Sequence, residues 1–232
     1  SFQSPSRNLA FDDMLFKRAE QGLITDVLRL WESPAVFVAL GRVSSVRDDV
    51  VMDNCRRDGI AVLRRSSGGG TVLQGPGCLN FSFVLSKKTR PWLNDLHRSY
   101  REILFPVICL LKTLGIEAVF QPVSDLAFAR DDKKFSGNAQ RRGKNAVLHH
   151  GTLLYQFDLS AVERYLSFPK SVPDYRKGRP HRDFVANLNL PASVLKEAFR
   201  RAFPGDDVMT DLSAEESLFL DQAEGACEII SG

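Results

Sequence analysis

Hydrophobic positions recur at helical spacing in the opening stretch, where Leu9, Met14, Leu15 and Ala19 predict a helix over Asn8–Gln21 that stops at Gly22. Two apolar runs follow, Val27–Trp31 and Ala35–Leu40, parted by Glu32-Ser33-Pro34, and both read as strands. A helix is expected from Arg47 to Asp58, ending at Gly59, and a strand at Ala61–Arg65. Beyond three consecutive glycines, Thr71–Leu73 reads as extended, Gln74-Gly75-Pro76-Gly77 as a turn, and Leu79–Leu85 as a strand. The amphipathic segment Leu93–Leu114 predicts the longest helix, kinked or divided at Pro106. Strands at Glu117–Phe120, Asp125–Phe128 and Val147–Phe157 and helices at Ala192–Phe203 and Ser213–Leu220 complete the pattern. Strands and helices come in mixed order without regular βαβ alternation. The expected class is therefore α/β or α+β, with a mixed, mostly antiparallel sheet flanked by helices.

Composition narrows this little further. At 232 residues with 44% apolar content, the chain suits one large domain over residues 1–232, or one domain with a small appendage, with residues 192–232 as a helical tail. The longest apolar run, Ile103–Leu111, contains Pro106 and is too short to span a bilayer. No signal-peptide pattern opens the sequence, so a cytoplasmic protein without membrane attachment is expected. Thirty-one basic against 28 acidic residues give no field that argues for nucleic acid. The cysteines at 55, 78, 109 and 227 are widely spaced, which speaks against a disulfide framework or a closed zinc site. Cys109, inside an apolar run, is expected in the core.

Four segments carry candidate chemistry. In Arg64-Arg65-Ser66-Ser67-Gly68-Gly69-Gly70-Thr71, the glycines allow close approach of backbone to a ligand, and the two arginines offer bidentate donors for a carboxylate or phosphate. A flexible hairpin with solvated arginines fits the same residues. In Lys134-Phe135-Ser136-Gly137-Asn138, small neighbours leave a lysine free to reach a ligand oxygen, although Lys133-Lys134 is also an ordinary solvent-facing pair. In His149-His150-Gly151-Thr152, successive strand residues point to opposite faces, so one histidine should be buried while the other faces a cleft. Asp125 either anchors a ligand or caps a turn.

Taken in order, RRSSGGGTVL (Arg64–Leu73), SDL (Ser124–Leu126), KFSGNAQ (Lys134–Gln140) and HHGTLL (His149–Leu154) resemble the lipoate–protein ligase A family. NLAFDDML (Asn8–Leu15) and the turn at Gly41-Arg42 are similar to it too, and the resemblance covers most of residues 8–190. It implies the fold of biotin protein ligases and class II aminoacyl-tRNA synthetase cores. It also implies that ATP and Mg²⁺ activate lipoate or octanoate to an acyl-adenylate. The acyl group then passes to a lysine of a lipoyl domain, in a 2-oxoacid dehydrogenase or the glycine cleavage H protein. On this resemblance Lys134 is catalytic. Arg65, Gly68, Gly69, Gly70, Thr71, Val72, Leu73, Asp125, Gly137, His150 and Thr152 bind ATP or lipoyl-AMP, with Asp125 a metal ligand.

Val72, Leu73, Phe81 and Phe83 are candidates for an acyl groove, core packing being equally open to the two phenylalanines. Gln74 and Ser124 depart from the family's usual His and Asn, and little of the small C-terminal accessory domain of two-domain ligases fits in Ala192–Gly232, so a separate chain is a candidate to supply it. Two alternatives stay open. One is a transferase without its own adenylation, taking octanoyl from acyl carrier protein through a cysteine thioester, with Cys78 the candidate thiol, or lipoyl from preformed lipoyl-AMP; the other is a non-catalytic module that binds acyl-adenylate or lipoyl domains. Arg141, Arg142 and Lys144, or Asp174–Arg179, are candidate contacts for an acidic lipoyl domain.

Overall fold

The computed structural model describes residues 1–169, 172–205 and 212–227. In chain order the elements are α1 (Pro5–Glu20), β1 (Val27–Trp31), β2 (Phe37–Leu40), α2 (Val46–Asp49), α3 (Met52–Arg57), β3 (Ala61–Arg64), β4 (Val72–Gln74), β5 (Cys78–Ser86) and α4 (Leu96–Thr113). They continue with β6 (Ala118–Gln121), β7 (Asp125–Phe128), β8 (Lys134–Arg142), β9 (Ala146–Leu154), α5 (Ser160–Tyr165), α6 (His181–Phe184), α7 (Ala192–Ala202) and α8 (Ala214–Cys227). Six strands form one sheet in the order β1-β5-β9-β8-β7-β6, antiparallel at each pairing, and β3-β2-β4 form a smaller sheet whose β2–β3 pair is parallel. The mixed, mostly antiparallel expectation therefore holds.

Period-two alternation on the central strand β5 decides what each face meets. Leu79, Phe81, Phe83 and Leu85 point into the main core with Ile103, Leu104 and Val107 of α4 and Leu195 and Phe199 of α7. Val84, on the opposite face, packs with Ala10, Met14 and Leu15 of α1. Phe81 and Phe83 are thus core residues, which removes them from the acyl groove.

Several elements differ from the sequence expectation for local reasons. Helix α1 starts earlier because Ser4 accepts a hydrogen bond from the Arg7 N–H and Pro5 fits the first turn. The helix expected over Arg47–Asp58 is two short ones. Val50 between them is extended and bridges to Leu166. Pro106 lies inside an undivided α4, which Asp95 caps by accepting from the Arg98 N–H at 2.8 Å. Cys109 is exposed on α4, because Ile103, Val107, Leu110 and Leu111 hold the buried face. Strand β8 is an addition to the expected set. The final helix, expected at Ser213–Leu220, runs Ala214–Cys227 and packs Leu220 against the α1 cluster. Residues 206–211 and 228–232 of the expected tail lie outside the described residues. No helix among the described residues is long and apolar enough to cross a membrane.

Candidate active site

A cavity of about 600 Å³ opens between the two sheets, and the loop between β3 and β4 forms one of its walls. That loop is built by its arginines. Arg65 is buried and donates through Nε to Ser67 Oγ, through Nη1 to the Ala39 carbonyl, and through Nη2 to the carbonyls of Gly68 and Gly70. Arg64 likewise donates to the carbonyls of Gly41, Arg42 and Ser44. These N–H groups shape the loop, and Arg65 also lines the cavity. Gly69 has φ +83°, and its carbonyl lies 1.9 Å from where a Cβ on Gly41 would stand, which makes a side chain at residue 41 intolerable. Gly69, Gly70, Thr71, Val72 and Leu73 line the cavity, whereas Gly68 faces a neighbouring groove with Arg42 and Gln140. Thr71 Oγ1 donates to Asp49 at 2.6 Å.

Across the cavity, β7 and β8 bring Asp125 opposite Gly137 in register. The Lys134 ammonium reaches Asp125 Oδ1 at 2.8 Å and lies over Gly137, where a Cβ would stand 3.0 Å from Nζ. Gly137 therefore supplies the space that the lysine occupies. Tyr175 donates to Asp125 Oδ2 at 2.6 Å, and this contact together with burial pushes the phenol pKa well above its ordinary value. Asn138 donates to the Ser124 carbonyl at 2.8 Å and so fixes the turn before Asp125. Both carboxylate oxygens of Asp125 are thus engaged, and among the described residues no three metal-ligating side chains cluster. A Mg²⁺ carried in on nucleotide phosphates needs only one or two carboxylates, and Asp125, here the counter-ion of Lys134, is the one expected to meet it.

The histidine pair divides as alternation requires. His149 is fully buried between Asn138 and Gln140, beside Tyr100 and Phe81. His150 lines the cavity and contacts Ser67 Oγ at 2.5 Å. Burial lowers both to about 3, so both rings are neutral at neutral pH. Ser67 accepts from Arg65 and shares a second hydrogen bond with His150 Nε2.

One end of the cavity is walled by Leu9, Trp31, Phe37, Val72 and Leu73. There Gln74 Nε2 donates to Thr152 Oγ1 at 2.6 Å, and Thr152 donates to Asn80 Oδ1 at 2.6 Å. Gln74 Oε1, Asn80 Nδ2 and Trp31 Nε1 remain buried without partners.

The opposite end contains residues that sequence reasoning passed over. Within the segment expected to present a basic surface, Arg176 is 3% exposed and lines the cavity together with His181. Arg179 donates to the carbonyls of Asp131, Asp132 and Tyr175. Arg141 pairs with Asp13, and Arg142 donates to Ser99, Gln140 and the Leu93 carbonyl. Of the proposed acceptor contacts, Lys144, Asp174, Lys177 and Gly178 are exposed. Cys78 is fully buried, its thiol pushed up to about 12 by desolvation. None of Cys55, Cys78 and Cys109 lines the cavity.

A two-sheet α/β core thus brings a glycine loop braced by a buried arginine and a carboxylate-held lysine into one cavity. The family model for the lipoyl protein ligase A/B catalytic domain matches residues 4–212, and the chain belongs to that family. It is 30% identical over 199 residues to "Probable lipoate-protein ligase A" of Mycoplasma pneumoniae, covering 83% of this chain and 57% of the relative. It is 27% identical over 227 residues to "Octanoyltransferase LipM" of Lysinibacillus sphaericus, covering 86% of this chain and 82% of the relative. Among solved structures, the bi-partite lipoate protein ligase of Thermoplasma acidophilum, studied with its E2 lipoyl domain, superposes with a TM-score of 0.78 at 24% identity, covering 95% of this chain and 87% of that one. The chain spans about half the length of the lipoate-protein ligases it matches.

Proposed function

We propose that this chain is the catalytic unit of a lipoate–protein ligase, which uses ATP to form lipoyl-AMP and passes the lipoyl group to a lysine of a lipoyl domain. The observation that carries the reading is the Lys134 ammonium, held by Asp125 and seated over Gly137, in the same cavity as Gly69 and Gly70. In the first step a lipoate carboxylate oxygen attacks the α-phosphorus, and pyrophosphate leaves with the electrons of the broken P–O bond. In the second, the acceptor amine attacks the acyl carbonyl, the C–O bond to phosphate breaks, AMP leaves and the amine releases a proton. Both steps place negative charge on oxygens around one mixed anhydride, and a fixed ammonium stabilises that charge. No protein nucleophile is required, so catalysis is positioning plus electrostatics.

The apolar end of the cavity suits the acyl tail. A second reading, octanoyl transfer through a cysteine thioester, is favoured by the similarity to an octanoyltransferase over most of both chains.

The test supplies either lipoate with ATP or preformed lipoyl-AMP, with an apo lipoyl domain as acceptor, and follows pyrophosphate release and acceptor mass. Lys134→Ala is expected to slow transfer by about 10²–10³-fold, the usual cost of removing one charge-stabilising donor. Normal transfer by that variant would remove the role given to Lys134.

A further inference from the structure

Asp49 lines the cavity and has no part in the reaction as derived above. It closes α2, and its carboxylate accepts from Thr71 Oγ1 at 2.6 Å, the length of a hydroxyl–carboxylate hydrogen bond. Among the described residues no cation comes within ion-pair distance of this carboxylate, so it serves the hydroxyl.

Main chain holds Asp49 itself in place. Its N–H donates to the Ser45 carbonyl at 3.0 Å and its carbonyl accepts from the Ser167 N–H at 3.0 Å. Val50 bridges to Leu166, and the Val51 N–H donates to the Tyr165 carbonyl at 2.9 Å. Leu166 and Ser167 are themselves part of the cavity wall. Asp49 thus joins two stretches of that wall, through its main chain to the segment after α5 and through its side chain to the end of the glycine loop. On the loop, Arg65 fixes the chain as far as the Gly70 carbonyl, and pairing of β4 with β2 begins at Val72. Thr71 stands between these anchors, next to a glycine whose backbone is intrinsically free. Main-chain groups that meet an anion contribute most when they are held in place beforehand.

We infer that Asp49 is a positioning residue for the nucleotide, which holds the Thr71 hydroxyl and thereby fixes the main chain at Gly70 and Thr71 on the cavity wall. The inference rests on the nucleotide reading above and adds a residue which that reading leaves unused. Asp49 acts through Thr71 and needs an acceptor oxygen for this, which an asparagine also offers.

The experiment follows lipoyl transfer from preformed lipoyl-AMP to an apo lipoyl domain, with urea-unfolding midpoints alongside. It compares the wild type with Asp49→Ala, Asp49→Asn, Thr71→Val and the double variant Thr71→Val/Asp49→Ala. Asp49→Ala and Thr71→Val should each raise KM for lipoyl-AMP by about tenfold, the low end for losing a hydrogen bond to a charged group. Both kcat and KM for the acceptor should stay within about twofold, as should all three constants in Asp49→Asn. The double variant should be no worse than either single one, because both remove the same bond. Additive losses in the double variant, or an Asp49→Asn as impaired as Asp49→Ala, would show that Asp49 does not act through Thr71 and would overturn the inference. A fall in kcat and a rise in both KM values, together with a lower urea midpoint, would make the bond purely structural and overturn it as well. An active wild type whose KM for lipoyl-AMP is indifferent to residues 49 and 71 overturns the positioning role alone. A wild type that transfers nothing from lipoyl-AMP overturns the nucleotide reading, and the positioning role with it.

Discussion

Adjacent residues His149 and His150 share a strand and a low pKa yet have different tasks. His149 Nδ1 faces the Gln140 amide and its Nε2 faces Asn138 Oδ1, while the Asn138 amide holds Ser124 and hence the turn that presents Asp125. A core histidine is thereby tied by hydrogen bonds to the counter-ion of the proposed catalytic lysine. This tie titrates. The folded-state pKa of about 3 lies below the ordinary value of 6.5, chiefly through burial. The unfolded chain therefore binds more protons between these values, and the stabilisation is complete above pH 6.5 and lost as pH falls toward 3. One such histidine contributes a slope of about 1.4 kcal/mol per pH unit within that window. His149→Gln, which keeps an amide between the same partners, should flatten the decline in urea-unfolding free energy between about pH 6.5 and about pH 4.5 by that slope. Parallel pH dependences in the variant and the wild type would show that His149 already takes up its proton in the folded state.

Among the elements, the glycine loop and β8 show how much the sequence discloses and where it stops. Three glycines bounded by strands declare a close backbone approach, and Lys134 followed by small residues declares reach; both were legible as patterns. What Arg64 and Arg65 do was not, because their partners include carbonyls of residues 39–44 on β2 and the turn after it, and only pairing of β2 with β3 brings these within reach. Strand β8 escaped for a related reason. Its Lys-Phe-Ser-Gly-Asn-Ala-Gln-Arg-Arg sequence has little intrinsic strand preference, and two hydrogen-bonded neighbours, β7 and β9, hold it extended. Arg176 was read as surface because its aromatic clamps, Phe168 and Phe184, lie eight residues to either side. The glycines themselves give a contrast that can be measured. Gly41→Ala puts a methyl onto the Gly69 carbonyl and should cost about 1–3 kcal/mol in unfolding free energy. Gly70 has no heavy atom within 4 Å of its would-be Cβ, so Gly70→Ala should leave stability within about 0.5 kcal/mol and show itself in KM. Equal stability losses would mean that the loop is not braced through Gly41.

At the scale of the whole molecule, the cavity lies where the small sheet meets the large one, and its lining bears on the choice between the proposed ligase chemistry and thioester chemistry. A transacylase needs a thiolate beside the lysine. Cys78 is buried in the cluster of Val38, Leu40 and Phe157, and with its thiol near 12 only about one molecule in 10⁵ is ionised at neutral pH. Cys55 sits in the same cluster, its thiol also raised by burial, and Cys109 is on the outer face of α4, away from the cavity. None of these three supplies a thiolate to the cavity, and an acyl group that arrives already activated by adenylation needs only positioning and a fixed ammonium. Cys78→Ala and Cys109→Ser should therefore transfer lipoyl from lipoyl-AMP within about twofold of the wild-type rate, because neither removes a group from the cavity. Mixing the wild type with octanoyl carrier protein should leave its mass unchanged, without a covalent octanoyl adduct. An adduct that disappears in Cys78→Ala, accompanied by loss of transfer from the carrier protein, would show that Cys78 becomes exposed and ionised during turnover, and the octanoyltransferase reading would then displace the ligase.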